Sequence, residues 1–271
     1  MAAEICSIRS ARVKAARQLN RRAERQQARQ FLAEGPQSVA EALRLPGAVT
    51  ELFVTGPAAA RHAGLLQLAV AGGVDVREVS DAVMAELAQT VTPQGLLAVC
   101  KFVDVPLAEL AAAAPALVAV LANVRDPGNA GTVLRTADAA GAGGVVFAGT
   151  SVDPYNSKCV RSAAGSLFHL PVVTGVSALA AAAALRAAGM VLLAADIGGT
   201  RLDELESAGQ LAGPTAWIFG NEAWGLPAEL TALADEAVAV PIYGQAESLN
   251  LAAAAAVCLY ASARAQRAAG K

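Results

Sequence analysis

The feature that most constrains the fold is a series of short, unbroken apolar runs in the second half of the chain. They are LVAVLA (117–122), GVVFA (144–148), LPVVT (170–174), MVLLAA (190–195), TAWIF (215–219) and AVAV (237–240). Each has the length of a strand, and none alternates apolar with polar, so both faces must be covered. The segments between them read as helices at 129–140, 157–166, 177–188, near 227–234 and at 249–266. Strands alternating with helices predict an α/β domain with a mostly parallel, doubly wound sheet. In such sheets ligands bind beyond the carboxyl ends of the strands. The loops after 122, 195, 219 and 240 are therefore expected to share one edge.

The first half alternates in the same way. RQFLAEG, VTELFVT, VDVREV and GLLAVCKF read as strands; SVAEALRL, 57–71 and DAVMAELA read as helices, the last opened by Ser80 and Asp81. This is a smaller α/β unit. VPLAELAAAAPA (105–116), with a proline near either end, reads as a helical linker. The expected organisation is 1–104, a linker at 105–116, and 117–271.

Composition excludes several classes. Hydrophobic residues make up 55% of the 271, and mean hydropathy is +0.45. Much of this is alanine, as in 111–114, 180–184 and 252–256, too weakly apolar for a span of about 20 strongly apolar residues. The N-terminus is charged rather than patterned as a signal peptide. Cys6, Cys100, Cys159 and Cys258 form no CxxC pair, and His62 and His169 are the only histidines. No metal site is expected, and the cysteines read as free thiols of a reducing cytoplasm.

Charge is uneven. Residues 1–30 hold eight basic groups against Glu4 and Glu24, leaving 13 basic and 21 acidic residues for the rest. Arg17, Arg21, Arg25 and Arg29 recur every fourth residue, which on one continuous helix would make a positive ridge. A solvated face normally mixes signs; a nearly pure positive one suits a phosphate backbone.

Chemistry-bearing residues collect in three loops at strand ends: NVRDPGN (123–129), carrying Asn123, Arg125, Asp126 and Asn129, then GNEAWGL (220–226) and PIYGQAESLN (241–250). Each pairs glycine with amides, hydroxyls or carboxylates. One such loop is no more than a helix cap; three on one edge make a site. Dinucleotide, phosphate-loop and nucleophile-elbow motifs are absent, because GAGG at 141–144 falls before a strand and DIGGT at 196–200 does not complete the pattern.

DPGNAGTVLRTADAAGAGGVVF, IFGNEAWGL and VPIYGQAESLNLAAAAAVCLY resemble, in order, the three motifs of the SpoU (TrmH-type) RNA ribose methyltransferases. The resemblance covers about 116–265. FLAEGPQSVAEAL and the layout of the first half are similar to the ribosomal-protein-like substrate-binding domain that many members carry in front. One departure is Ala223, where many members have glycine; Gly225 stays in the same turn.

The resemblance implies a SPOUT fold with a deep trefoil knot, bound S-adenosyl-L-methionine, and a homodimer. It places the cofactor against Ala195, Gly220, Asn221, Glu222, Val240, Ile242 and Leu249, and catalytic or substrate-orienting roles on Asn129, Arg135, Glu222, Ser248 and Asn250. RNA contacts are expected from Arg17, Arg21, Arg25, Arg29 and Arg125. The family's role for Arg135 is to accept the hydroxyl proton. A guanidinium stays protonated below about pH 12, so gripping the target phosphate is the other reading. The expected substrate is ribosomal RNA, with transfer RNA, or a non-catalytic RNA-binding protein of the same fold, as alternatives.

Overall fold

The computed structural model describes residues 8–221 and 224–270. Chain order begins α1 (Ala11–Gln18), α2 (Arg22–Ala28), β1 (Gln30–Glu34), α3 (Pro36–Arg44), β2 (Val49–Thr55), α4 (Gly56–Arg61), α5 (Ala63–Ala71), β3 (Asp75–Val79), α6 (Asp81–Leu87) and β4 (Leu96–Lys101). It continues α7 (Leu107–Ala112), β5 (Leu117–Ala122), α8 (Pro127–Ala140), β6 (Gly144–Ala148), α9 (Ser157–Ala163), β7 (Val172–Val176), α10 (Ala178–Ala187) and β8 (Val191–Arg201). The last elements are α11 (Leu202–Ser207), β9 (Thr215–Phe219), α12 (Ala228–Thr231), β10 (Glu236–Ala239) and α13 (Leu251–Ala269).

Two compact units result. Of the described residues, the first holds those up to Val103 together with Tyr155–His169, and the second holds Asp104–Pro154 and those from Leu170 onward. The first unit is a four-stranded sheet in the order β1-β4-β2-β3, antiparallel except for the β2–β3 pair. One hydrophobic cluster in it gathers Val13, Leu32, Phe53, Val83, Met84 and Leu97. The 155–169 segment belongs here because its aromatic side chains fill this unit. Tyr155 stacks on Phe102 at 3.8 Å and Phe168 on Phe31 at 5.9 Å. The Tyr155 hydroxyl also accepts the Val103 N–H at 2.9 Å.

The second unit is a six-stranded, wholly parallel sheet in the order β10-β8-β9-β5-β6-β7. Central strand β5 is buried along its whole length, as an unbroken apolar run requires. Leu110 of α7, in the 105–116 stretch, is buried in this unit's core beside Val146, Val173 and Leu185. Helix α13 packs on α8 and β9, and the Trp217 indole donates to the Ser262 hydroxyl at 2.9 Å in the interior. Ala252 and Ala255 are buried within their own unit.

Three sequence expectations are corrected. The basic ridge does not exist, because α1 ends at Gln18 and α2 starts at Arg22. Arg25 is 4% exposed and donates to the carbonyls of Leu19 and Asn20, each at 3.0 Å. It thereby satisfies carbonyls at the α1 terminus that no helical partner reaches. Helix 57–71 divides at His62, whose backbone leaves the helical region (φ −119°, ψ 35°). The expected loop after 195 is strand: β8 runs to Arg201 and re-registers against β10 between Ala237 and Val238. A Cβ on Gly199 would lie 2.2 Å from the Ala237 carbonyl carbon, so this glycine permits close backbone approach rather than a turn.

Candidate functional site

Strand register brings the motif loops to one edge. Leu121 pairs with Phe219, and Ala194 with Ile218. The chain therefore leaves β5 at Asn123 and β9 at Gly220 on the level that Ala195 occupies in β8.

Asn123 is the hinge of the first loop. Its backbone is left-handed (φ 59°), a conformation that asparagine tolerates better than most residues. Its Oδ1 accepts the Thr150 N–H at 2.9 Å and the Thr150 hydroxyl at 3.0 Å. Its carbonyl accepts the Asn221 side-chain amide at 3.0 Å, tying the first motif to the second. The Ser151 hydroxyl, itself buried, receives the Val124 N–H at 3.0 Å and donates to the Leu121 carbonyl at 2.8 Å. Asn123 was expected only as part of the polar run of its loop, without a role of its own, and Thr150 and Ser151, which follow β6, were not among the expected site residues.

Asp126 then caps α8, accepting the Asn129 N–H at 2.7 Å, with Pro127 in the first turn. Asn250 caps α13 with Oδ1, accepting from Ala252 N at 2.9 Å and Ala253 N at 3.4 Å. Its Nδ2 donates to Asn129 Oδ1 at 3.1 Å. The first and third motifs thus meet through two amides 121 residues apart in sequence.

The second motif closes on itself. Asn221 and Gly225 exchange both backbone hydrogen bonds, at 3.0 and 2.8 Å. A Cβ on Gly220 would lie 2.5 Å from the Gly225 carbonyl carbon, so this position requires glycine. Glu222, expected to serve both cofactor and catalysis, lies outside the described residues, as does Ala223. Trp224 is 59% exposed, with the Arg125 guanidinium 5.3 Å from its ring centroid.

Arg135 sits on the exposed stripe of α8 and makes no side-chain hydrogen bond or ion pair among the described residues. It is not joined to the Asn129–Asn250 pair. Ser248 and Leu249 are exposed on the loop entering α13, while Val240 and Ile242 are partly buried. Arg201 holds that loop from β8. Its guanidinium lies 5.8 Å from the Tyr243 ring centroid and pairs with Asp203 at 2.7 Å. The hydrogen bond from Arg201 keeps the Asp203 carboxyl below its ordinary range.

The expected RNA-contacting arginines divide. Arg25 is committed to the interior, as above. Arg29 lies 4.5 Å from the Phe102 ring centroid, and Arg17 pairs with Glu86 at 2.8 Å. Arg21 and Arg125 are exposed.

A parallel sheet with polar loops gathered at its carboxyl edge, and a second, small mixed α/β unit, define an α/β protein with a candidate site at that edge. The particular family follows from comparison: the chain belongs to the SpoU rRNA Methylase family, which matches residues 116–260. Residues 10–98 match the MRM3-like substrate binding domain. The chain is 36% identical over 258 residues to the 23S rRNA (guanosine(2553)-2'-O)-methyltransferase RlmP of Bacillus subtilis, covering 95% of this chain and 98% of that one. Among solved structures it is similar to the AdoMet-bound rRNA methyltransferase of Sinorhizobium meliloti, with TM-score 0.84, 30% identity and 97% of each chain covered. The SpoU methyltransferase AviRb of Streptomyces viridochromogenes, in complex with the cofactor AdoMet, gives TM-score 0.82 and 30% identity over 96% of this chain and 100% of that one.

Proposed function

We infer that this chain is an S-adenosyl-L-methionine-dependent RNA methyltransferase that modifies a ribose 2′-hydroxyl, with ribosomal RNA as substrate. The observation that carries the reading is the convergence of all three motifs of a SpoU family member at one sheet edge. There the first motif is bonded to the second through Asn123 and Asn221, and to the third through Asn129 and Asn250.

The residues present fit the cofactor. The edge formed by Ala195, Gly220, Asn221, Val240, Ile242 and Leu249 is rich in small and aliphatic residues whose main-chain groups can bond an adenosine. Gly220 keeps two backbone segments close without a side chain between them. When bound, the cofactor supplies a sulfonium-activated methyl group. The chain's task is to bring one hydroxyl into line with it. Asn129, fixed by Asn250, sets the geometry at the α8 terminus. Arg135, with no competing carboxylate partner among the described residues, grips the target phosphate and so holds the hydroxyl in line; the hydroxyl is a weak nucleophile until its proton is accepted, and that proton passes to solvent as the methyl arrives. Glu222 and Ser248 take the remaining catalytic or substrate-orienting roles. Arg21 and Arg125 supply phosphate contacts, with Trp224 beside Arg125.

The reading includes a trefoil knot formed as the 240–250 segment passes into α13, work in the cytoplasm, and a homodimer. Val257 and Tyr260 leave an apolar face on α13, each 42% exposed, which suits a second copy. Titration calorimetry with S-adenosyl-L-methionine tests the cofactor assignment; a wild-type chain that binds none contradicts it. Sedimentation at micromolar concentration should give twice 27.3 kDa. A fully active monomer would contradict the dimer.

A further inference from the structure

The first unit carries a cavity that the methyl-transfer site does not use. It measures about 260 Å³ and opens between the start of α3, the 88–95 loop and the end of α9, with Glu34, Ser38, Thr90, Gln94 and Arg161 on its walls. Gly35, at φ 91°, turns the chain from β1 into α3. A Cβ there would lie 2.8 Å from Gln94 Oε1. Gly35 offers no capping side chain, and Pro36 has no N–H. The first amides of α3, at Gln37 and Ser38, therefore stand at the cavity as donors.

A second, independent donor is Arg161. Its Nη1 is enclosed and has no hydrogen-bond partner among the described residues. The Arg161 side chain is 31% exposed overall, and this Nη1 forms an ion pair with Glu34 Oε2 at 3.7 Å, a distance beyond hydrogen-bond reach. An enclosed donor without a hydrogen bond is unfavourable and calls for an explanation. The acceptor in the cavity is Glu34, whose side chain is 8% exposed. It is held in place by the Thr90 hydroxyl and by the Gln89 N–H at 3.4 Å.

The donors alone would suit a phosphate, but Glu34 decides against one. A second anion beside a largely buried carboxylate is repelled, whereas a neutral edge carrying both donors and acceptors satisfies both sides. Guanine is the base that presents two adjacent N–H donors, suited to a carboxylate, beside a carbonyl that a guanidinium or a helix terminus can bond. We propose that this cavity receives one unpaired guanine of the RNA, with its N1–H and N2–H on Glu34 and its O6 on Arg161. Sequence-specific RNA recognition of this kind reads bases splayed out of single-stranded regions. The inference rests on the RNA reading above and extends it, giving the first unit a base-reading role.

The test uses the full-length chain and fluorescence anisotropy with four labelled oligouridylates, one all-uridine and three carrying a single guanine, adenine or cytosine. Wild type should bind the guanine-containing strand about tenfold more tightly. Glu34→Gln and Arg161→Gln should each erase that difference while leaving affinity for the all-uridine strand and for S-adenosyl-L-methionine intact. Should either fail to fold, Gln94→Ala on the exposed loop should reduce the preference. A wild type with no guanine preference overturns the proposal, as does a preference that persists in both variants or that falls on adenine or cytosine. Methyl transfer reads the wider function separately: a wild type that transfers methyl without guanine preference loses the cavity assignment alone.

Discussion

Asn250 has two functions that substitution can separate. Its Oδ1 caps α13 and its Nδ2 holds Asn129. Asn250→Ala removes both. Loss of an N-cap costs about 1 kcal/mol, and loss of an exposed amide hydrogen bond about 0.5–1 kcal/mol. Urea denaturation should therefore show the variant about 1.5–2 kcal/mol less stable, with an unchanged slope. Asn250→Asp keeps the capping oxygen and places a negative charge at a helix N-terminus, favourable by roughly 0.3–1 kcal/mol. It also removes the only donor that Asn250 offers Asn129. Its stability should stay within about 1 kcal/mol of wild type, while single-turnover methyl transfer falls at least tenfold. A cycle with Asn129→Ala should return a coupling of about 0.5–1 kcal/mol. Wild-type turnover in Asn250→Asp would refute the idea that this bond orients the catalytic loop. Wild-type stability in Asn250→Ala would refute the capping argument.

Other consequences follow from the same geometry. Arg135→Ala should abolish methyl transfer while calorimetric affinity for S-adenosyl-L-methionine stays within a few-fold, because Arg135 lies on the exposed stripe of α8 rather than in the second or third motif loop. Arg25→Ala should destabilise the first unit by about 1.5–3 kcal/mol, the range for hydrogen bonds from a charged donor, measurable by thermal or urea unfolding. By contrast Arg21→Glu should leave stability alone and lower the log–log salt slope of RNA binding by roughly 0.7–0.9 for each phosphate it no longer neutralises. Burial of Glu41 opposes its charge, but hydrogen bonds from His169 and Arg44 outweigh this and hold its carboxyl below the ordinary 4.5. Its contribution is therefore complete above that value and is lost as pH falls through the lower, folded one. The stability gap between wild type and Glu41→Gln should shrink on acidification below about pH 4.5, and a gap that widens would reverse the sign.

The apolar runs were a faithful guide to the sheet because a strand covered on both faces has no polar residue to obscure it: 117–122, 144–148 and 215–219 are strands to the residue. The Asn129–Asn250 pairing could be guessed only as proximity, from the way parallel strands deliver their loops to one edge. Arg25 misled, because four-residue spacing describes a ridge only while the helix continues, and the break at Leu19–Arg21 carries neither glycine nor proline. Gly199 falls in the stretch after 195 expected as a loop, yet serves the close passage of β8 and β10. Tyr155 and Phe168 gave no sign of their place in the first unit, since the aromatic cluster they join is assembled from Phe31 and Phe102, far away in sequence. Arg161, whose Nη1 is enclosed, was silent for the same reason.

The most direct test of the central claim is to incubate the chain with ribosomal RNA and S-adenosyl-L-methionine labelled in its methyl group, and then to digest the RNA with alkali. Alkaline cleavage needs a free 2′-hydroxyl, so a 2′-O-methylated ribose leaves its neighbouring phosphodiester intact. The account predicts label in alkali-stable dinucleotides with the wild-type chain and none with Arg135→Ala. Label released in mononucleotides, which would mean methylation of a base, or no transfer to RNA at all, would contradict it.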